Sequence, residues 1–404
     1  MNASAENASS LRALGVPCLL LLVAMFNLTL VVAGLGDLIL DDLGGSTRQA
    51  SWFFSIEMLA YVLFAPVWGL VADRTGRRRA MVVAGFGASA VLYAVFALLR
   101  DVETLLLVRF AQGALSVMAW STLMSVPLDH PDRARRGRAM GWMGASLIFG
   151  VSLGAPVGGI LSSQLGVRAP LWTASGLFAV AAVAALAVAD PERGVARVRP
   201  GWRALAARLA SRPRLLVPYL FHFVDRYTVG FLVVLFPLYL GSLGVDDPAV
   251  KGRYLAAFLF PFALLQAVTG RLVDRLGSYP PLLVGSLLYG TMLCLVGVSG
   301  LYSLWWVMLG LGVLASVMFP PAIALTAELS DPETRGVAMG GFNVAGSLGF
   351  AVGPVVGAEA FAAGGYGFAF VVGGVLEVAL AVGVGLWLLG TWSRRRAAAT
   401  GSLD

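Results

Sequence analysis

The sequence predicts an all-α membrane protein with twelve transmembrane helices in two pseudo-symmetric six-helix halves, and three observations predict it. At 58% hydrophobic and 13% charged residues, with a mean hydropathy of +0.83, the chain carries more apolar surface than a water-soluble core can hide. Apolar runs near the roughly 20 residues needed to cross about 30 Å of hydrocarbon recur along its whole length. Landmarks of the first half return about two hundred residues later.

The spans fall in order at 14–38, 50–72, 79–99, 103–126, 138–163 and 169–189, then at 215–240, 253–273, 279–299, 302–326, 337–361 and 367–391. The first is preceded only by Arg12, lacks a small-residue cleavage pattern and is followed by eleven more, so it is expected to be retained and not removed as a signal. Between spans six and seven, "DPERGVARVRPGWRALAARLASRPR" is polar, basic and bounded by prolines. Its "WRALAARLA" would lie along the inner membrane surface. The expected organisation is a first half at 1–189, a central loop at 190–214, a second half at 215–391 and a tail at 392–404.

Charge sets the orientation. With the N-terminus inside, 22 of the 29 Lys and Arg fall in inner segments and five in outer loops, while Arg109 and Arg226 lie within spans. This is a strong positive-inside pattern. The net charge of +7 is thereby accounted for by topology and attraction to anionic lipid, without nucleic acid. Both termini are expected in the cytoplasm, and the sequons at Asn2 and Asn7 would then go unused.

The duplication is written in several places. "GLVADRTGRRR" (69–79) answers to "GRLVDRLGSYP" (270–280), with Asp73 and Asp274 201 positions apart. The Val-Pro pairs at 16–17 and 217–218 keep that offset, and "RGRAMGWMGASLIFGVSLGAPVGG" (136–159) aligns with "RGVAMGGFNVAGSLGFAVGPVVGA" (335–358) at an offset of 199. Shared composition does not hold register over such distances.

These residues resemble the major facilitator superfamily over nearly the whole chain, and in motifs they are closest to its drug:proton antiporters. The G-x-x-x-D-R-x-G-R-R signature of the loop between spans two and three is matched by Gly69, Asp73, Arg74, Gly76, Arg77 and Arg78. Its degenerate copy between spans eight and nine is matched by Gly270, Asp274, Arg275 and Gly277. The resemblance implies a cytoplasmic gate. Physically, a helix-end Asp pairs with Arg and with helix N-termini, one glycine admits a neighbouring helix, and the other a tight turn. The bland alternative is that Arg77 to Arg79 only set topology.

Span four carries "RFAQG". Arg109 lies about 10 Å into the helix at 1.5 Å per residue, where it needs a partner. Glu57 on span two and Asp37 near the outer end of span one are the candidates. In the resembled family this arginine is implicated in proton coupling; a fixed ion pair that only holds helices together is the alternative. Span five presents Gly141, Gly150, Gly154, Pro156 and Gly158, close to the antiporter signature with its proline displaced by one. Span eleven presents Gly340, Gly349, Gly353, Pro354 and Gly357. Plain small-residue packing is the competing reading.

"FHFVDRYTVG" in span seven places His222, Asp225 and Arg226 near mid-span, with His222 on the same helical side as both others. Ionisable groups at that depth usually mark proton or substrate paths. These three, with Arg109, Glu57 and Asp37, are the candidate proton-coupling residues. A neutral pair that never titrates is the alternative. Glu359 and Glu377 are further acids without a basic neighbour in sequence. Phe26, Trp120, Phe221, Tyr227, Trp305 and Phe319 are candidate cavity-lining groups for an amphipathic solute.

Several patterns are missing: no G-x-x-x-x-G-K that would energise an ATPase, no sugar-porter "PESPR" after span six, and no E-x-x-E-R in span one. Cys18 and Cys294 sit inside spans and give neither a disulfide framework nor a metal site. The reading is therefore a multi-pass protein of a bacterial inner membrane, monomeric, without cofactor and not an enzyme. It would exchange protons for small amphipathic molecules by alternating access, in contact with lipid. Uptake or uniport of a metabolite on the same fold, and a scaffold or sensor without turnover, are the alternatives.

Overall fold

The computed structural model describes residues 3–126, 133–190, 207, 211–331 and 334–400. Most of the central segment lies outside the described residues, as do the side chains of Asp73, Arg133, Arg135, Arg136, Arg138, Arg394, Arg395 and Arg396.

Helices α1 (Ala3–Leu30), α2 (Thr47–Thr75), α3 (Arg78–Leu98), α4 (Val102–Leu123), α5 (Arg133–Leu165) and α6 (Ala169–Ala184) come first. They are followed by α7 (Leu216–Ser242), α8 (Pro248–Leu276), α9 (Tyr279–Val296) and α10 (Leu301–Glu328). The last helical stretch, Arg335–Thr400, is broken where Gly364 has φ −154° and Gly365 φ +76°. Its apolar part of 54 residues is far longer than one crossing needs. It is therefore two crossings, α11 (335–363) and α12 (366–400), joined where only glycine adopts the left-handed backbone readily. This completes the twelve-helix fold.

The first span is less regular than its composition predicts. Beyond α1 the chain passes through a 3-10 turn at Val32–Gly34 and a π-helical turn at Asp37–Asp42. Elsewhere the ends follow local chemistry. Ser46 and Gln49 form a reciprocal capping box at the start of α2. The Thr104 amide donates to Asp101 at 2.7 Å to open α4, and that bond holds the Asp101 carboxyl below the usual carboxylate range. Gly76 ends α2 in the left-handed conformation at φ 62°.

The molecule divides into two compact units. One comprises Met1–Arg199 with Leu232–Ala263, and the other Pro200–Phe231 with Leu264–Asp404. In the first, α1 lies on α5, α2 on α4, and α3 on α4 and α6. The α3–α6 pair is tied at both ends. Arg168 at the head of α6 donates to Ala97 O, Leu99 O and Asp42 at 2.7–2.8 Å. At the other end Arg79 donates from its backbone to Asp190 at 2.7 Å and from Nε to Val188 O at 2.8 Å. Between them Ser175 Oγ donates to Ala90 O, and Phe178 packs on Phe86 and Tyr93.

The same unit holds the second part of α7 and the first part of α8. A Cβ on Gly159 would strike the carbonyl of Pro248, and one on Gly252 would crowd Ala155 and Pro156. Ser152 Oγ donates to Leu259 O at 3.0 Å. In the second unit, α9 lies on α10 and on the stretch containing α12, with Gly290 against Gly374 and Gly297 against Gly367. Gly349 and Gly353 of α11 lie against the backbone of Phe223 and Tyr227 in α7.

Candidate coupling sites and family

Among the described residues, an arginine–carboxylate contact stands in the membrane-spanning part of each unit, and the chemistry of the two differs. In the first, Arg109 of α4 and Glu57 of α2 are each 1% exposed and form a salt bridge. The other nitrogens of Arg109 are engaged too: Nη1 donates to Tyr93 Oη at 2.8 Å and to Gln112 Oε1 at 3.0 Å, and Nε donates to Phe53 O at 3.4 Å. The guanidinium also lies 4.4 Å over the Phe53 ring. Tyr61 Oη donates to Glu57 Oε1 at 2.9 Å. One cation meets one anion and the hydrogen-bonding capacity of both is largely filled. A buried pair survives desolvation under those conditions.

The second group lacks this completeness. Arg226 Nη2 of α7 stands 3.1 Å from Asp225 Oδ2, and His222 Nδ1 lies 3.8 Å from the same oxygen. Neither Asp225 oxygen has an aligned hydrogen bond, and His222 Nδ1 has none. The His222 ring is stacked flat on Phe342 at 3.8 Å, in a space opened by Gly346, whose Cβ would collide with it. Arg226 lies 4.6 Å over Phe319 and 5.5 Å from Phe350. Apolar rings thus surround an ion contact in which neither carboxylate oxygen of Asp225 has an aligned hydrogen bond, which is costly in a low-dielectric interior.

Asp37 is placed apart from Arg109. Its carboxylate receives Lys251 Nζ of α8 at 2.9 and 3.2 Å, and Lys251 is itself 4% exposed. In the loop signature, Gly76 and Gly277 (φ +77°) make left-handed turns. Arg74 and Arg77 are exposed, Arg78 is buried, and Asp274 and Arg275 are exposed at the end of α8. Gly69 lies within α2, and a Cβ on Gly270 would meet nothing within 4 Å.

Gly150, Gly154 and Gly158 of α5 lie against the backbone of α1 at Leu22, Phe26 and Leu30. Gly141 and Gly340 face open space. Pro156 and Pro354 lie inside their helices, and Gly357 is buried. Among the aromatics, Phe319 joins the Asp225 group, Phe221 is sealed in a core with Val217, Leu282 and Phe342, and Tyr227 is buried beside Phe231. Trp120 packs edge-on against Tyr61, Phe26 is half-buried, and Trp305 is 40% exposed in the first turns of α10.

Sequence reasoning missed Tyr93, Lys251, Ser286 and Tyr289 and left Glu377 without neighbours. The Glu57–Tyr61 spacing of four was a usable signal. Nothing in the sequence relates Asp37 to Lys251.

Comparison with known proteins bears on the family and the fold. The Major Facilitator Superfamily model matches residues 18–254 and 218–402. The multi-drug resistance efflux pump PmrA of Streptococcus pneumoniae is 24% identical over 342 residues, covering 81% of this chain and 84% of that protein. The multidrug resistance protein MdtG of Enterobacter lignolyticus is 26% identical over 345 residues, covering 83% and 81%. The synaptic vesicular amine transporter of Rattus norvegicus is 24% identical over 349 residues, covering 84% and 66%. Among solved structures, the nucleoside transporter NupG superposes with a TM-score of 0.74 at 14% identity, covering 91% of this chain and 98% of that one. A bacterial homolog of the human lysosomal transporter Spinster gives 0.74 at 14%, covering 92% and 94%. With a twelve-helix membrane fold, a family match across both halves and relatives that are transporters, the chain is a transporter, not an enzyme, and belongs to the Major Facilitator Superfamily.

Proposed function

We propose that this transporter exports small amphipathic molecules in exchange for protons, and that the Asp225 group on α7 is where the proton acts. The observation that carries this reading is the contrast between the two buried groups. The Arg109–Glu57 pair is neutral and well bonded, so a proton arriving there would break a working network. The Asp225 carboxylate is buried at 3% exposure without an aligned hydrogen bond, so a proton there relieves an uncompensated acceptor. Entry of water and substrate on one side of the membrane then changes the cost of that charge. Arg226, held over two aromatic faces, is the cation released or shared when Asp225 changes state.

In this reading Asp73 with Arg74, Arg77 and Arg78 closes the cytoplasmic side, and the second copy around Asp274 and Arg275 has the corresponding role in its own half. Export is supported by the likeness to the efflux pump PmrA, and the aromatic content of α7 and α10 suits amphipathic solutes. The same reading puts the protein in a bacterial inner membrane with both termini cytoplasmic, the orientation that the arginine distribution favours.

The test is efflux of a preloaded lipophilic cationic dye from pump-deficient bacterial cells. Wild-type protein should clear the dye, and a protonophore should stop it. Asp225→Asn should lower proton-driven efflux at least tenfold while the protein is still made and inserted. Normal efflux by Asp225→Asn moves the coupling site elsewhere, and wild-type efflux that ignores the protonophore removes the proton from the mechanism.

A further inference from the structure

Glu377 of α12 is fully buried, at 0% exposure, and it faces the Asp225 group. A Cβ on Gly290 would stand 2.9 Å from the Glu377 Cβ, which places the side chain directly over α9. From α9 it meets Ser286, with Tyr289 close by; from α7 it meets Thr228 and the charge of Asp225. Among the described residues, the cation facing this pocket is Arg226. Thr228 Oγ1 already donates its single proton to Asp225 O at 2.9 Å, so it can offer Glu377 only an acceptor. Neither Glu377 oxygen has an aligned hydrogen bond, nor do Ser286 Oγ and Tyr289 Oη.

The charges do not balance. Asp225 and Glu377 together bring two carboxylates against Arg226, beside a His222 ring stacked flat on Phe342. Two ionised carboxylates sharing one arginine in an apolar interior is a costly state. One added proton corrects both deficits at once: it brings the cluster to neutrality and turns a carboxylate, which can only accept, into a donor among unsatisfied acceptors.

We propose that Asp225 and Glu377 form a two-carboxylate site holding one exchangeable proton, carried on Glu377 while Asp225 faces Arg226. The Ser286 hydroxyl, which neighbours the Glu377 carboxyl and has no aligned hydrogen bond of its own, is the group to accept from the protonated carboxyl and orient it. The proposal deepens the coupling role given to Asp225 above and rests on it for its consequence in transport. The site itself can be decided on purified protein without any substrate.

The deciding measurement is the infrared carbonyl-stretch band of protonated carboxylic acid, followed against pH in purified full-length protein in lipid nanodiscs. Wild type should show a buried-carboxyl band that Glu377→Gln removes. An unchanged band in a folded Glu377→Gln protein overturns the proposal. Should that variant not fold, Asp225→Asn decides: removing the neighbouring charge should keep the band and move its pH midpoint, and an unmoved midpoint overturns the shared site. Dye efflux separates the two readings. Loss of the band with normal efflux in Glu377→Gln leaves the carboxyl site standing and removes it from coupling, whereas absence of wild-type efflux affects only the proposed function.

Discussion

Two arginines within the spans show how far a residue's role depends on what surrounds it. Arg109 has Glu57, Tyr93, Gln112 and the Phe53 carbonyl, and the cost of burying it is met locally. Glu57→Gln keeps the shape and removes the counter-charge, so it should cost about 3–5 kcal/mol. The check is a drop in the thermal unfolding midpoint of the detergent-solubilised protein. Arg226 depends on ring faces as much as on Asp225, so Arg226→Lys, which retains charge but loses the planar guanidinium, should weaken dye efflux while leaving that midpoint nearly unchanged. The α7 triad was legible because its members are neighbours along one helix. Glu377 was not, because its companions come from α7 and α9 and no local pattern joins them. Lys251 was read only as an outer-loop charge, yet it is buried against Asp37.

Helix–helix contacts were partly legible, and glycine marks where. The repeats in spans five and eleven can be read as flat faces, and α5 and α11 do use them against α1 and α7. What the pattern does not give is which glycines are used: Gly158 sits on the Leu30 carbonyl, while Gly141 and Gly340 border open space. A bulky side chain at the first should part α1 from α5. Gly158→Leu is therefore expected to yield no monodisperse peak in size-exclusion chromatography. Gly340→Ala should elute as wild type, with stability unchanged or raised by up to about 1 kcal/mol, the helix-propensity gain of Ala over Gly. The break at Gly364–Gly365 was anticipated as a boundary between spans because apolar length exceeds one crossing, although the helical stretch runs almost without interruption.

At the scale of the whole molecule, composition, positive-inside charge and internal repetition were enough for the twelve-helix fold. The repeats said less about packing: the second part of α7 and the first part of α8 lie in one compact unit with the N-terminal helices, through contacts such as Gly159 with Pro248 and Lys251 with Asp37. Those pairs are distant in sequence and follow no repeat. Orientation is checked with single cysteines on a background lacking Cys18 and Cys294. Thr75→Cys should react with an impermeant maleimide only after permeabilisation, and Asp246→Cys in intact cells. Finally, Arg168 and Arg79 pin the two ends of α3 and α6 to one another. A helix pair fastened at both membrane faces cannot shear or tilt independently, so it behaves as a strut. On that flank the lipid meets a constant hydrophobic thickness throughout the transport cycle, and any adaptation to a thinner or thicker bilayer must be borne by the other helices.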